Sequence, residues 1–283
     1  MSRGSKTPMN QAISSSEKTD QSRAVRDVYA PPRNVTDLAD CAFYHTMEIP
    51  GHGVIEGPWD LRANADKYLG GIDLRGKRVL EIGTASGFLC FHMEQQGADV
   101  VAYDLSVDDD WDVVPFAGAN FDEEARKRRQ HIDKLNNAWW LAHRAHGSSA
   151  RAVYGSVYDV PAEIGEVDVA TFCAVLRHLR DPFLALERVL RLTRETVVVT
   201  ANVSLRLAVP QWLAGRGKPC VGFLPNYKTG KPDESFWYLG PDVVKSMIGV
   251  LGFEQTKTTY HVQRYRGKRR LVYTVVGHRT RGA

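Results

Sequence analysis

The 283-residue sequence predicts an α/β protein built on a doubly wound sheet of seven strands, mostly parallel, with the last strand antiparallel. Three observations predict it. From Arg78 onward, short and nearly continuous apolar runs alternate with amphipathic stretches, the pattern of strands covered on both faces by helices. A glycine-bounded turn at 83–87 separates the first such run from a helical stretch. The chain closes on two strands joined by a connection too short for anything but antiparallel neighbours.

Taken in order, Val79, Leu80, Glu81 and Ile82 form the first strand, and residues 87–96 form a helix. Gly97 stops it, one residue past the C-cap, where a left-handed backbone favours glycine. Residues 100–103 make the second strand, which ends at Asp104; the third and fourth are 152–154 and 167–172. Asp181 caps a helix with Pro182 at its first position, and Leu186, Val189 and Leu190 share one face. The fifth strand is 196–200; Pro241 opens a further helix, carrying Val244, Met247, Ile248 and Leu251, that Gly252 closes. The last two strands, about 253–262 and 271–277, flank a basic turn at 264–270 that is expected to be solvated.

Residues 1–24 are rich in Ser, Thr, Gln and Lys and are expected to form a disordered arm. Residues 25–77 are expected as a helical extension or lid, and 78–283 as the functional domain. Two insertions are longer than a compact unit needs. One, 105–150, is expected to hold a helix capped by Asp122 with Ile132, Leu135 and Trp139 along one side. The other, 204–240, carries Trp212, Phe223, Tyr227, Phe236, Trp237 and Tyr238. Both follow carboxyl ends of strands, the edge at which open α/β sheets bind ligands.

With 43% hydrophobic and 25% charged residues the composition is globular, which excludes collagen-like, coiled-coil and wholly disordered classes. No run approaches the roughly 18 apolar residues of a membrane helix. The N-terminus has no apolar signal region, and Cys41, Cys90, Cys173 and Cys220 form no CxxC pair. The expected compartment is the cytoplasm, with no zinc ribbon and no redox dithiol. The net charge of +4 resides in the C-terminal tail: no acidic residue follows Glu254, and eight of the 37 basic residues do. Any nucleic-acid contact would rest on that tail.

The most informative segment runs from Val79 to Phe88, followed by Asp104. Gly83 allows the turn off the strand, Gly87 lets the helix pack close, and Asp104 at the end of the next strand can take both ribose hydroxyls of a nucleoside. A dinucleotide fingerprint would read G-x-G-x-x-G; this turn is Gly83-x-x-x-Gly87 with Glu81 ahead of it.

On these residues the chain resembles class I S-adenosylmethionine-dependent methyltransferases, whose first motif is (Glu/Asp)-x-Gly-x-Gly-x-Gly, with Ala85 in place of the middle glycine. The resemblance, over roughly 40–278, implies a Rossmann-like sheet, S-adenosyl-L-methionine as cofactor, and cofactor contacts from Glu81, Gly83, Thr84, Ala85, Ser86, Gly87, Asp104 and Leu105. It further implies that Ser156, Val157 and Tyr158 bracket the adenine and that Cys173 sits near the methionine part. Cys173 also reads as a small buried residue, and Tyr158 as a loop aromatic. Phe43 to Pro50, with Gly57 to Asp60, resemble the segment preceding the fold in tRNA wobble-uridine carboxymethyltransferases; this implies that Tyr44 and Trp59 reach the cofactor. Arg177 stands where those enzymes carry a tyrosine, which favours an ordinary methyl donor and a small acceptor.

His178 is the candidate general base, since it follows the fourth strand and imidazole titrates near neutrality; a structural histidine at the start of the next helix is the competing reading. His45, Arg177, Trp139 and Trp237 are the candidate acceptor contacts. Asp108, Asp109 and Asp110 read as solvated carboxylates, and no metal is expected. The expected activity is methyl transfer to a small molecule at oxygen (hydroxyl or carboxylate) or nitrogen, with no membrane partner and room for a homodimer. An RNA methyltransferase using the basic hairpin, a NAD-dependent oxidoreductase and a non-catalytic interaction protein are the alternatives.

Overall fold

A computed structural model describes residues 28–109, 111–204, 219–228, 230 and 235–282. The N-terminal arm 1–24, Asp110, Trp212 and much of the second insertion lie outside the described residues. In chain order the elements are β1 (Met47–Ile49), β2 (Gly53–Ile55), β3 (Trp59–Asp60), α1 (Ala65–Tyr68), β4 (Arg78–Ile82), α2 (Phe88–Gln95), β5 (Asp99–Asp104), α3 (Asp122–His146) and β6 (Arg151–Tyr154). They continue with β7 (Val167–Cys173), α4 (Pro182–Leu190), β8 (Thr193–Asn202), β9 (Val221–Phe223), β10 (Trp237–Leu239), α5 (Pro241–Val250), β11 (Gln255–Tyr265) and β12 (Lys268–His278).

The central sheet has the order β3-β11-β12-β8-β7-β4-β5-β6. Strands β8, β7, β4, β5 and β6 run parallel, and β12 lies antiparallel between β8 and β11. Side chains alternate across it. Val79, Val100, Val169, Val198 and Val276 face one layer with α2, α3 and the N-terminal extension. Leu80, Ile82, Val101, Ala170, Val197 and Val275 face the other, with α4 and α5. The period-2 pattern thus fills both faces, as the near-continuous apolar runs require. Each fully buried Leu, Ile or Val stabilises the fold by about 1.5–3 kcal/mol.

Three expectations need correction. The sheet has eight strands rather than seven, because β3 of the extension adds antiparallel to β11 through Arg264↔Asp60 and Tyr265↔Trp59. A two-residue strand carries no periodicity to read. The extension is also not helical among its described residues: beyond two single 3₁₀ turns, their helix is the four-residue α1, and they hold the β1–β2 hairpin and β3. The alternating burial of β1, with Gly51 and Gly53 at φ +80° and +74°, produces that hairpin. Finally, the basic stretch 264–270 is mostly strand. The turn proper is Arg266 and Gly267, both at positive φ (+48° and +72°), so Arg269 and Arg270 belong to β12.

The extension is held to the sheet by polar groups. The Tyr68 carbonyl at the end of α1 accepts hydrogen bonds from the Thr200 and Thr274 hydroxyls at 2.7 and 3.1 Å. α3 begins one residue earlier than expected, since Phe121 rather than Asp122 is its cap; its first turn holds Asp122, Glu123 and Glu124 and its last His143, Arg144 and His146, each end matched to the helix dipole. Asp181 caps α4 as expected, its carboxylate accepting the Leu184 N–H at 2.9 Å. No helix among the described residues is long and apolar enough to cross a membrane.

Candidate active site

The carboxyl ends of β4, β5, β6 and β7 meet around the 83–87 turn. Gly83 has φ +76°, and its N–H bonds the Tyr103 carbonyl at 2.8 Å. A Cβ there would fall 2.5 Å from Val175 Cγ2, so only glycine fits. Gly87 has φ +89°, and a Cβ there would meet the Phe91 and Trp139 rings at 2.5 and 2.7 Å. Ala85 sits between them at φ +50°, a left-handed conformation that costs an L-residue roughly 1–2 kcal/mol. Its N–H is fixed on Asp104 Oδ2 at 2.7 Å, while Leu105 N–H donates to Asp104 Oδ1 at 2.8 Å. Each carboxylate oxygen therefore keeps lone pairs to spare, and the side chain lines a cavity. Burial raises the Asp104 pKa, with the two backbone donors pulling the other way.

That cavity measures about 280 Å³. Of the residues singled out in the sequence, it brings together Tyr44, Gly83, Ala85, Asp104, Leu105, Ser156, Val157, Tyr158, Cys173 and His178. Ala174, also left-handed at φ +63°, turns the chain away at the end of β7. Backbone strain at two alanines in neighbouring turns marks a place where the surrounding structure over-determines the conformation.

The other sequence candidates lie elsewhere. Ser86 is fully buried, and its hydroxyl accepts the Tyr44 and His45 N–H groups at 3.2 Å each, so it anchors the extension rather than lining the cavity. Glu81 is 1% exposed below the turn; its Oε2 has no hydrogen-bond partner, and burial, with Asp104 nearby, pushes its pKa up to about 8. Thr84 and Gly87 also stand behind the cavity wall. Trp139 is 1% exposed and packed on Phe91, Trp140 and His143, which places it in the core and not against an acceptor. His45 is buried against Tyr44 and Phe88, with Nδ1 unpartnered and its pKa pushed down to about 3 by burial. It lines neither this cavity nor the one beside it. In each case the local sequence reads alike whether a side chain points up from the sheet edge or down into a layer.

The adjoining cavity, about 660 Å³, shares Tyr44, Ala174 and His178 with the first. Trp59 belongs here, its indole N–H donating to the Tyr44 hydroxyl at 3.2 Å. Arg177 lines it too, while Trp237 lines a smaller recess that shares Arg177 and Asn202 with it. His178 stands at the junction with Nδ1 3.3 Å from Ser235 Oγ. Burial, then the neighbouring Arg177 and Arg128 charges, push its pKa down to about 4, so the imidazole is neutral at pH 7.

Several lining residues escaped the sequence reading. Asn136 of α3 donates to the Leu105 carbonyl at 3.1 Å and so fixes the strand end beside Asp104. Asp112 accepts the Tyr158 hydroxyl proton and the Arg180 N–H, the latter at 2.7 Å, tying the first insertion to the start of α4. The Arg180 guanidinium donates to the Val113 carbonyl at 3.4 Å. Arg269 and Arg270 reach the larger cavity from β12. Helical periodicity could have flagged Asn136, one position from Leu135 on the inner face; nothing local flags the two arginines.

Residues 60–219 match the model of a family described as a methyltransferase domain. No protein of curated function matches the sequence. Solved structures similar to this chain include magnesium protoporphyrin IX methyltransferase from Synechocystis PCC 6803 with bound S-adenosylhomocysteine, at 15% identity over 78% of this chain and 82% of that one, TM-score 0.46. The N-terminal domain of EvdMO1, in the presence of S-adenosylhomocysteine and D-fucose, matches at 15% identity over 86% and 92%, TM-score 0.48. The 1,6-didemethyltoxoflavin-N1-methyltransferase of Burkholderia thailandensis matches at 18% identity over 78% of each chain, TM-score 0.47. All three are distant likenesses.

Proposed function

The chain belongs to the methyltransferase-domain family, and from that membership we propose that it transfers a methyl group from S-adenosylmethionine to a small-molecule acceptor at oxygen or nitrogen. The observation that carries this reading is the Asp104 carboxylate, pinned by two backbone N–H groups in the lining of a cavity that also includes a turn too tight for a Cβ at Gly83. The donor set fits a nucleoside: two oxygens with free lone pairs for vicinal hydroxyls, and the apolar Val157 and Leu105 for a flat base. When bound, the cofactor supplies a methyl group on a sulfonium together with its own leaving group.

The chain's part is to align, to keep water out and to handle one proton. His178, at the junction of the two cavities, would carry its proton on Nδ1 toward Ser235 Oγ and accept the acceptor's proton on Nε2. Its depressed pKa keeps it neutral and receptive across the physiological range. Titration of the full chain with S-adenosylhomocysteine and with NADH in a calorimeter tests the reading. Saturable binding of the first and none of the second is expected; the reverse would replace the methyltransferase by an oxidoreductase.

A further inference from the structure

Among the described residues the larger cavity is lined by three arginines, Arg177, Arg269 and Arg270, and by no carboxylate. None of the three forms an ion pair among the described residues. Arg177 is the informative one. Its Nε is buried without a hydrogen-bond partner, and the groups facing its charge among the described residues include the hydroxyls of Tyr44, Tyr265 and Tyr68. A guanidinium stays protonated even there, and a half-buried charge without an ion-pair partner costs stability. Aromatic rings line the same cavity beside them: the Trp59 and Tyr265 rings lie 4.8 Å apart, and the Arg270 guanidinium lies 5.9 Å from the Tyr265 ring centre.

We propose that this cavity receives the acceptor as an oxyanion, a carboxylate or a phosphate, held by Arg177, Arg269 and Arg270 with its apolar part on Tyr265 and Trp59. The inference rests on the methyl-transfer reading above, since it places the acceptor beside His178. It also gives Arg177 a partner in the loaded site. The planar five-donor fork of arginine suits a two-oxygen anion, and charged hydrogen bonds of this kind are short and strong. The lining itself, with aromatic rings and arginines side by side, suits a small planar acid better than a bare inorganic ion.

The test uses the full chain with S-adenosylhomocysteine bound, followed by thermal unfolding during titration with benzoate, phenyl phosphate and neutral benzamide. Benzoate or phenyl phosphate is expected to raise the midpoint by about 2–4 °C and benzamide to leave it unchanged. The stronger of the two anions identifies the oxyanion. Arg177→Met should abolish the shift and, because it removes a half-buried charge without an ion-pair partner, raise the midpoint of the ligand-free protein. Lys268→Gln, a change on the exposed rim of the hairpin, should preserve the shift. Equal responses to benzoate and benzamide, or a lowered midpoint in Arg177→Met with the anion response intact, would overturn the proposal. So would stabilisation by a short RNA oligonucleotide and by neither small anion. Calorimetry with S-adenosylhomocysteine on the same variant separates the two readings. Unchanged affinity leaves the cofactor assignment standing whatever the anions do, whereas a large loss would give Arg177 to the cofactor's own carboxylate and remove the acceptor role.

Discussion

Two parts of one sheet edge are built from different materials. Around β4 and β5 the site is largely backbone: left-handed residues at 83, 85 and 87, and a carboxylate held by two main-chain N–H groups. Around β8, β11 and β12 it is side chain, with three arginines, three aromatic residues and a histidine brought together from distant segments. Backbone sites admit one shape of ligand and tolerate little change. Side-chain sites can be re-dressed without altering the sheet, which is why a widely used fold takes many acceptors while keeping one cradle.

The largest effect expected from breaking this division of labour is at the junction. His178→Asn should lower turnover on any accepted substrate by about 10²–10⁴-fold, the usual contribution of a general base, while affinity for S-adenosylhomocysteine stays unchanged. Turnover near that of the parent would mean that alignment alone drives transfer, as for a carboxylate acceptor.

Trp139 sharpens the comparison from the core side. Trp139→Ala should destabilise the fold by about 3–5 kcal/mol in urea unfolding, because the ring fills the layer behind Gly87. A stable variant with a selective loss of acceptor binding would return Trp139 to the pocket.

A pH effect follows from Glu81. Its pKa in the folded chain is pushed up to about 8 from an ordinary 4.5, so the folded state holds a proton that the unfolded state has already lost. Stability must therefore fall as pH rises through that window. Above about pH 7.5 the histidines, whose folded pKa values are depressed, have largely lost their protons in the unfolded state as well, and comparison with Glu81→Gln isolates the carboxyl. Between about pH 7.5 and 9 the parent should lose thermal stability and Glu81→Gln should lose less. Parallel curves would mean that Glu81 is ionised and paired.

The smallest expected effect is at Ala85. Glycine there relieves the left-handed strain but loosens the unfolded chain, so Ala85→Gly should change stability by less than about 1 kcal/mol. A large loss would show that the methyl group itself packs against something needed.

The two regions also differed in how far the sequence disclosed them. Gly83, Gly87 and Asp104 lie within one strand–helix–strand unit, so spacing alone marked the cradle, and the parallel order with a reversed last strand followed from the same local punctuation. The basic cavity depends on register: the pairing of β11 with β12 and of β12 with β8 carries Arg269 and Arg270 to the side of Arg177. No local spacing encodes that. The turn that sets the register holds Arg266 at positive φ, a residue that does not announce a tight hairpin, so the whole basic stretch read as a solvated loop. Ser86 and Trp139 went wrong for a related reason, since a residue beside a binding turn can face the ligand or the layer beneath it, and only packing decides which.

The claim on which the rest depends is that Asp104 holds a nucleoside. Calorimetric titration of S-adenosylhomocysteine into the parent and into Asp104→Ala tests it most directly. Each hydrogen bond to a charged group contributes about 1.5–3 kcal/mol, so removal of the carboxylate should weaken binding by at least about tenfold with the unfolding midpoint little changed. Equal affinities in the two proteins would contradict it.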